Sequence, residues 1–522
     1  MSNPNILFVM ADQLTALALS FYAGEGRLTA KTPHLDRLAA QGVVFEQAYC
    51  NSPLCAPSRF SMMSGQLPSR IGAYDNAANF GADTPTLAHY LRAAGYQTSL
   101  CGKMHFVGAD QLHGFEERLT TDIYPSDYGW TPNWQTFGTR PNWYHNLLSV
   151  VQAGTCETSN QLDFDEEVAH QAVRKLYDLA RADDRRPFFL LTSFTHPHDP
   201  FAITPEYWDR YDPSEIDLPL LPQQPYEALD PHSQRLHHVC ALDEYEQTEA
   251  RVRRARHAYY GMISYVDDKV GQLVRALEVT RQLDDTIIIF TADHGEMLGE
   301  RGLWYKMSFF EPSARVPLLV CAPTRFSARR VSAPVSLIDL LPTLSELAHG
   351  GTPPGDLTPL DGSSLVPALQ GDELDPGRTV CGEMLSEGAV APLLMLRRGS
   401  YKYLYCSADP EQLYDLADDP HETVNLAADP AFEEVLTTFR RDLRKRWDPE
   451  ALHRDVVSSQ QKRLFVERAL RQGHHHPWDF QPYRDASQRF MRNHLDLDAL
   501  ERRSRFPSPE HPESDGKAVE KV

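Results

Sequence analysis

The chain has 522 residues, 42% hydrophobic and 24% charged, which excludes a fibrous or disordered protein and leaves room for two or three modules. Its 51 basic and 72 acidic residues give a formal charge of −21, the wrong balance for a binder of nucleic acid or anionic membranes. An anionic small molecule stays compatible, because a few local cations override a global field.

The first apolar run, residues 6–10, breaks at Asp12 and has no cationic stretch before it, so it reads as a strand and not as a secretory signal. Nowhere does an apolar run approach the ~20 residues of a membrane span. Residues 96–100, 188–194, 286–291 and 316–321 are further continuous apolar runs, the pattern of parallel strands buried on both faces. Residues 85–94 and 264–280 carry apolar side chains at helical spacing. The alternation predicts an α/β sandwich around a mainly parallel sheet, residues 1–378 forming the larger, N-terminal domain. A Gly-, Pro- and Asp-rich stretch at 350–378 predicts a linker. Beyond it, Tyr401, Tyr403 and Tyr405 alternate along 397–407 as in an antiparallel strand, and 430–447 reads as a helix. Residues 379–450 are therefore expected to form a smaller α+β domain. Residues 451–522 form a C-terminal extension, disordered from 507. Eight scattered cysteines suggest no disulfide framework and predict reduced thiols in a cytoplasmic protein.

Polar residues suited to chemistry follow these strands: Asp12, then Lys103 and His105, then His196 and His198, then Asp293 and His294. Ligands of open α/β sheets bind beyond the carboxyl ends of strands, so four segments are expected to converge on one edge. The sharpest local signal is Cys55-Ala56-Pro57-Ser58-Arg59. A helix starting near Pro57 would turn free N–H groups toward an anion, and Arg59 would add a forked charge. A buried cysteine at a helix start is the plainer alternative.

This pentapeptide resembles the Cys-x-Pro-Ser-Arg signature of the type I, formylglycine-dependent sulfatases. The resemblance continues through 5–12, through Gly102-Lys103-Met104-His105, and through Asp293-His294-Gly295 and Leu298-Gly299-Glu300 to Lys306. Farther on it takes in Glu411-Gln412-Leu413-Tyr414-Asp415-Leu416, and altogether it spans residues 3 to about 450. It implies an alkaline-phosphatase-like sandwich with a smaller C-terminal α+β domain. It also implies that a maturing enzyme oxidises Cys55 to formylglycine (3-oxoalanine), which is then hydrated. One hydroxyl attacks sulfur, and the other drives the C–O cleavage that frees sulfate. By the same resemblance Asp12, Asp293, His294 and the modified Cys55 hold one divalent metal; the mostly oxygen donors favour Ca²⁺, with Mg²⁺ or Mn²⁺ next. Arg59, Lys103 and Lys306 offset charge, His105 either orients the diol or serves as the base that collapses the intermediate, and His196 meets the leaving group or sulfate. Many sulfatases carry Asp-Asp at the first position, where this chain has Asp12-Gln13. His198 is left aside, and the run 474–476 reads as a solvated turn.

Residues 128–145 contain Trp130, Trp134, Trp143, Tyr144 and His145, either a packed loop or an aromatic wall for a cation. Residues 74–78, 113–125, 128–132, 195–200 and 491–498 resemble the choline sulfatase branch of the family. That resemblance implies that Asn76, Trp130, His145, Glu383 and Asp498 face a trimethylammonium group. It further implies a tail packed on a neighbouring subunit of a homo-oligomer, a dimer or tetramer. Three alternatives stay open: a phosphonate or phosphate monoester hydrolase, a sulfatase for another small ester, and an unmodified protein that binds anions or choline.

Overall fold

The computed structural model describes residues 3–22, 27–349, 358–481, 490–491 and 496–505. Residues 350–357 of the expected linker, 492–495 of the tail motif and the end from 507 lie outside the described residues. Eight strands form the central sheet: β1 (Asn5–Ala11), β2 (Val43–Phe45), β3 (Gln97–Gly102), β4 (Glu117–Arg118), β5 (Phe188–Phe194), β6 (Thr286–Ala292), β7 (Leu318–Cys321) and β8 (Arg329–Val331). Their order is β8-β2-β7-β6-β1-β5-β3-β4. The strands β5 and β6 are buried at every position and β1 at all but its first, which is why they appear as unbroken apolar runs.

Register positions the site. Ala11 pairs in parallel with both Phe194 and Ala292, and Gly102 pairs with Ser193. The four central strands therefore end level, and Asp12, Lys103, Thr195 and Asp293 leave the sheet side by side. The 316–321 segment departs from expectation: β7 runs antiparallel to β6, with Leu318 opposite Thr291. A parallel return needs a crossover helix, and the intervening chain has only the single turns Glu300–Gly302 and Glu311–Ala314.

The helix α1 (Cys55–Ser64) is buried throughout and ends at Gly65, whose φ of 67° suits a left-handed cap. The long helices α2 (Asn160–Arg181) and α3 (Glu249–Val279) pack against each other, and α2 also packs on β5. Ser159 and Thr248 cap them through side-chain oxygens.

A second, antiparallel sheet follows in the order β9 (Thr379–Met384), β10 (Leu393–Arg398), β11 (Tyr401–Cys406) and β12 (Gln412–Asp415). The stretch expected as one strand at 397–407 turns at Gly399 (φ 56°), so Arg398 pairs with Tyr401 across a two-residue hairpin. Leu436, Phe439 and Leu443 of α4 (Glu433–Arg446) join Leu394, Leu396, Tyr403 and Leu413 in its core. The extension adds α5 (Pro449–Leu470) and α6 (Leu497–Ser504). Arg463 of α5 reaches back to an ion pair with buried Asp75. Among the described residues no helix is long and apolar enough to cross a membrane.

Candidate active site

Cys55 is the first residue of α1, so its side chain sits where the helix N–H groups are free. Asn76 takes one of them, its Oδ1 accepting from the Ala56 N–H at 2.9 Å. Around Cys55 Sγ stand His294 Nε2 at 3.3 Å, Lys103 Nζ at 3.6 Å and Asp12 Oδ1 at 4.0 Å. Asp12, Cys55, Asp293 and His294 are all buried and offer ligand atoms within 4.8 Å of one another. The donor set fits a divalent cation. His294 Nδ1 bonds the Gly295 carbonyl at 3.0 Å, which leaves the Nε2 lone pair facing the cluster. Burial pushes the Asp12 carboxyl up, yet Lys103 and Arg59 outweigh it and hold it at about 2. Asp293 is likewise held below its ordinary range against burial, chiefly by Arg59. Burial and the Lys306 ammonium keep His294 below its usual value, hence neutral and able to ligate.

Arg59 does not reach the cavity. It lies behind the cluster, fully buried, with Nε on Asp293 Oδ2 at 2.8 Å and Nη1 donating to the Lys103 carbonyl (2.6 Å) and Ser193 Oγ (2.9 Å). Asp12 Oδ2 is 3.6 Å from its Nη2. Lys103 Nζ pairs directly with Asp12 and lies 4.4 Å from the centre of the Tyr124 ring. Lys306 Nζ donates to Gln13 Oε1 at 2.5 Å and meets His198 Nε2 at 2.9 Å. His105 is anchored by its backbone N–H on Asp122 (2.8 Å), and its buried ring has no hydrogen-bond partner among the described residues.

These groups open onto a cavity of ≈ 90 Å³. Its wall takes in Cys55, Lys103, His105, His198 and Lys306 together with Trp130, Trp143, Tyr144, Glu387, Asp498 and Glu501, and the Trp130 ring centre lies 5.6 Å from that of His105. Asn76 and His145 also line it, with His145 Nδ1 3.4 Å from Asp199 Oδ2. Burial raises the carboxyls of Glu387, Asp498 and Glu501, and like charge from Asp199 and Asp498 adds to the rise of Glu501. Asp498 accepts from Asn146 Nδ2 at 2.7 Å and stands at the cavity of its own chain.

Besides Arg59, two further expected site residues outside the metal cluster lie off the cavity. His196 is buried away from the cavity because Asp165 of α2 captures the Thr195 and His196 backbone N–H groups (2.7 and 2.9 Å) and the His196 ring (2.7 Å). His198, two residues on, is the histidine that lines the cavity. Glu383 is tied within β9 to the Ser69 N–H and hydroxyl and to Trp447 Nε1 (2.7, 2.6 and 2.6 Å), while Glu387 reaches the cavity wall. Tyr124, Asp199, Glu387 and Glu501 were not singled out from the sequence as site residues. Asp199 and Tyr124 fall in stretches with family resemblance; Glu501 carries no local signal.

An α/β sandwich with carboxylates, a helix-start cysteine and two lysines at one sheet edge defines the class, and the comparisons agree. The sulfatase family profile matches residues 4–351, more than half the chain, so the chain belongs to the sulfatase family. Profiles described as the N-sulphoglucosamine sulphohydrolase C-terminal region and the choline sulfatase enzyme C-terminal region match 299–448 and 454–506. Choline-sulfatase of Rhizobium meliloti (strain 1021) is 49% identical over 515 residues, covering 97% of this chain and 99% of that protein. Arylsulfatase K of Gallus gallus is 31% identical over 475 residues, covering 85% and 82%. Among solved structures, the phosphonate monoester hydrolase of Agrobacterium radiobacter superposes with a TM-score of 0.69 at 26% identity, covering 86% of this chain and 96% of that one.

Proposed function

We propose that the protein hydrolyses choline O-sulfate to choline and sulfate, with Cys55 matured to formylglycine and one divalent cation, Ca²⁺ foremost, held by Asp12, Asp293, His294 and residue 55. The observation that carries this reading is a single small cavity with two characters. The ammonium groups of Lys103 and Lys306 line it along with Cys55, and so do aromatic rings and carboxylates. The first suits a sulfate and the second a permanent cation, which aromatic faces and carboxylates recognise without a hydrogen bond. The 49% identity to a choline-sulfatase supports the same substrate.

The matured residue supplies a nucleophilic hydroxyl, and the cation supplies charge for the sulfate oxygens. The chain's own residues do the rest. Lys103 and Lys306 donate to sulfate and leaving-group oxygens as negative charge develops there. His105, with both ring nitrogens free of described partners, takes the proton of the residue-55 hydroxyl. Trp130 and the acidic wall hold the ammonium, which keeps the ester oxygen at the lysine end and shields the reacting atoms from bulk water. The seven cysteines other than Cys55 stand as free thiols, in keeping with a cytoplasmic protein. Exposed Phe465, Val466 and Leu470 on α5 support a homo-oligomer.

Mass spectrometry of the Cys55 peptide tests the maturation, which removes about 18 Da. A panel of choline O-sulfate, an aryl sulfate and a phenyl phosphonate then ranks substrates by kcat/KM. Choline O-sulfate should lead, and Cys55→Ala should abolish turnover. A phosphonate in first place would move the protein to its structural neighbour's class.

A further inference from the structure

Gln13 is where the chain departs from an Asp-Asp start, and its surroundings are unusual. Its backbone is left-handed, with φ 60°, a conformation that a residue other than glycine keeps only when its neighbours fix it. They do: its N–H donates to Asp293 Oδ1 at 3.0 Å, and its carbonyl accepts from the Tyr259 hydroxyl at 2.7 Å. The fully buried side chain is held as firmly. Nε2 donates to Glu296 Oε2 at 2.5 Å and to Asp199 Oδ1 at 3.3 Å. With both amide N–H groups given to carboxylates, Oε1 faces Lys306. Glu296 cannot turn away, since its Oε1 accepts the backbone N–H groups of Leu298 and Tyr305 at 2.9 and 2.6 Å. An aspartate at position 13 would set a third carboxylate beside Glu296 and Asp199, so the acid on the 294–306 loop accounts for the amide.

We propose that Glu296 is a positioning residue: by locking the Gln13 amide it fixes the direction of the Lys306 ammonium. An ammonium has three N–H donors. Gln13 Oε1 takes one and His198 Nε2 the second, and the third is left for the cavity that Lys306 lines. The inference rests on the proposed role of Lys306 at the sulfate end.

Glu296→Gln is nearly isosteric and tests it. The new amide must keep its oxygen toward the Leu298 and Tyr305 N–H groups, so it presents NH₂ to Gln13. Gln13 then turns its oxygen to residue 296 and its NH₂ toward the ammonium, and Lys306 loses an acceptor. The expected result is a kcat for choline O-sulfate about 10- to 100-fold lower, with KM within about twofold and bound metal unchanged by elemental analysis. In a Lys306→Ala background the same substitution should cost less than about twofold, because the group it positions is gone. Wild-type kcat in Glu296→Gln, or an equal loss in both backgrounds, overturns the inference. Should Glu296→Gln fail to fold, Gln13→Leu removes the same acceptor and is read through the same cycle by the same criteria. A wild-type enzyme inactive on choline O-sulfate defeats the substrate reading instead, and the cycle is then read on the ester it does turn over.

Discussion

Arg59→Met strips the guanidinium from beneath the site while keeping most of the side chain's length. Asp293, fully buried, loses the partner 2.8 Å away, and leaving one member of a buried pair costs about 3–5 kcal/mol. The Lys103 carbonyl and Ser193 hydroxyl lose their donor as well, at about 1–3 kcal/mol more. Together this takes up much of the 5–15 kcal/mol margin typical of a folded domain. Urea denaturation in EDTA should show that loss. Added Ca²⁺ should recover more stability in the variant than in wild type, because the cation supplies charge to the same carboxylates. The pH arm has a definite sign. Burial alone pushes the Asp293 carboxyl up, and Arg59 is the main group holding it down. Without Arg59 the burial effect gains ground and the native state binds a proton more readily than the unfolded chain does, so the deficit narrows as pH falls. A variant within about 1 kcal/mol of wild type in EDTA would refute the account, since a fully buried pair of this kind does not come apart that cheaply.

Trp130→Ala should lower kcat/KM for choline O-sulfate by about 30-fold, the equivalent of a desolvated cation–π contact of about 2 kcal/mol. Its neutral isostere 3,3-dimethylbutyl sulfate should lose far less; equal losses would make Trp130 a packing residue only. The KM for choline O-sulfate should rise as pH falls into and below the range where Glu387, Asp498 and Glu501 take up protons. Burial has raised that range above the ordinary carboxylate one. The neutral isostere should show no such rise, and parallel profiles would remove the acidic wall from cation binding. Deleting residues 482–522 takes away α6 with Asp498 and Glu501 and should raise KM for choline O-sulfate about tenfold, some 1.4 kcal/mol of binding. An unchanged KM would show that the tail takes no part in the pocket.

Strand ends were legible in the chain itself. A parallel strand covered on both faces must be apolar at every position, so the first polar residue beyond it stands at the edge of the sheet. Asp12, Lys103, Asp293 and His294 could be placed together on that ground, and Pro57 announced a helix start beside Cys55, which the fold sets two residues earlier, at Cys55 itself. What the side chains do beyond the edge was not legible. His196 and His198 share one loop, and the choice between them was made by Asp165, 31 positions away on α2. Glu383 and Glu387 lie four apart, and the partners that pull the first inward are Ser69 and Trp447. Gln13 reads as a missing charge until Glu296, 283 positions on, folds back against it. Periodicity and spacing are local properties of a chain and carry through to its elements. The direction of a polar side chain past the end of an element is set by whichever remote donor or acceptor reaches it first, and only the tertiary fold decides that.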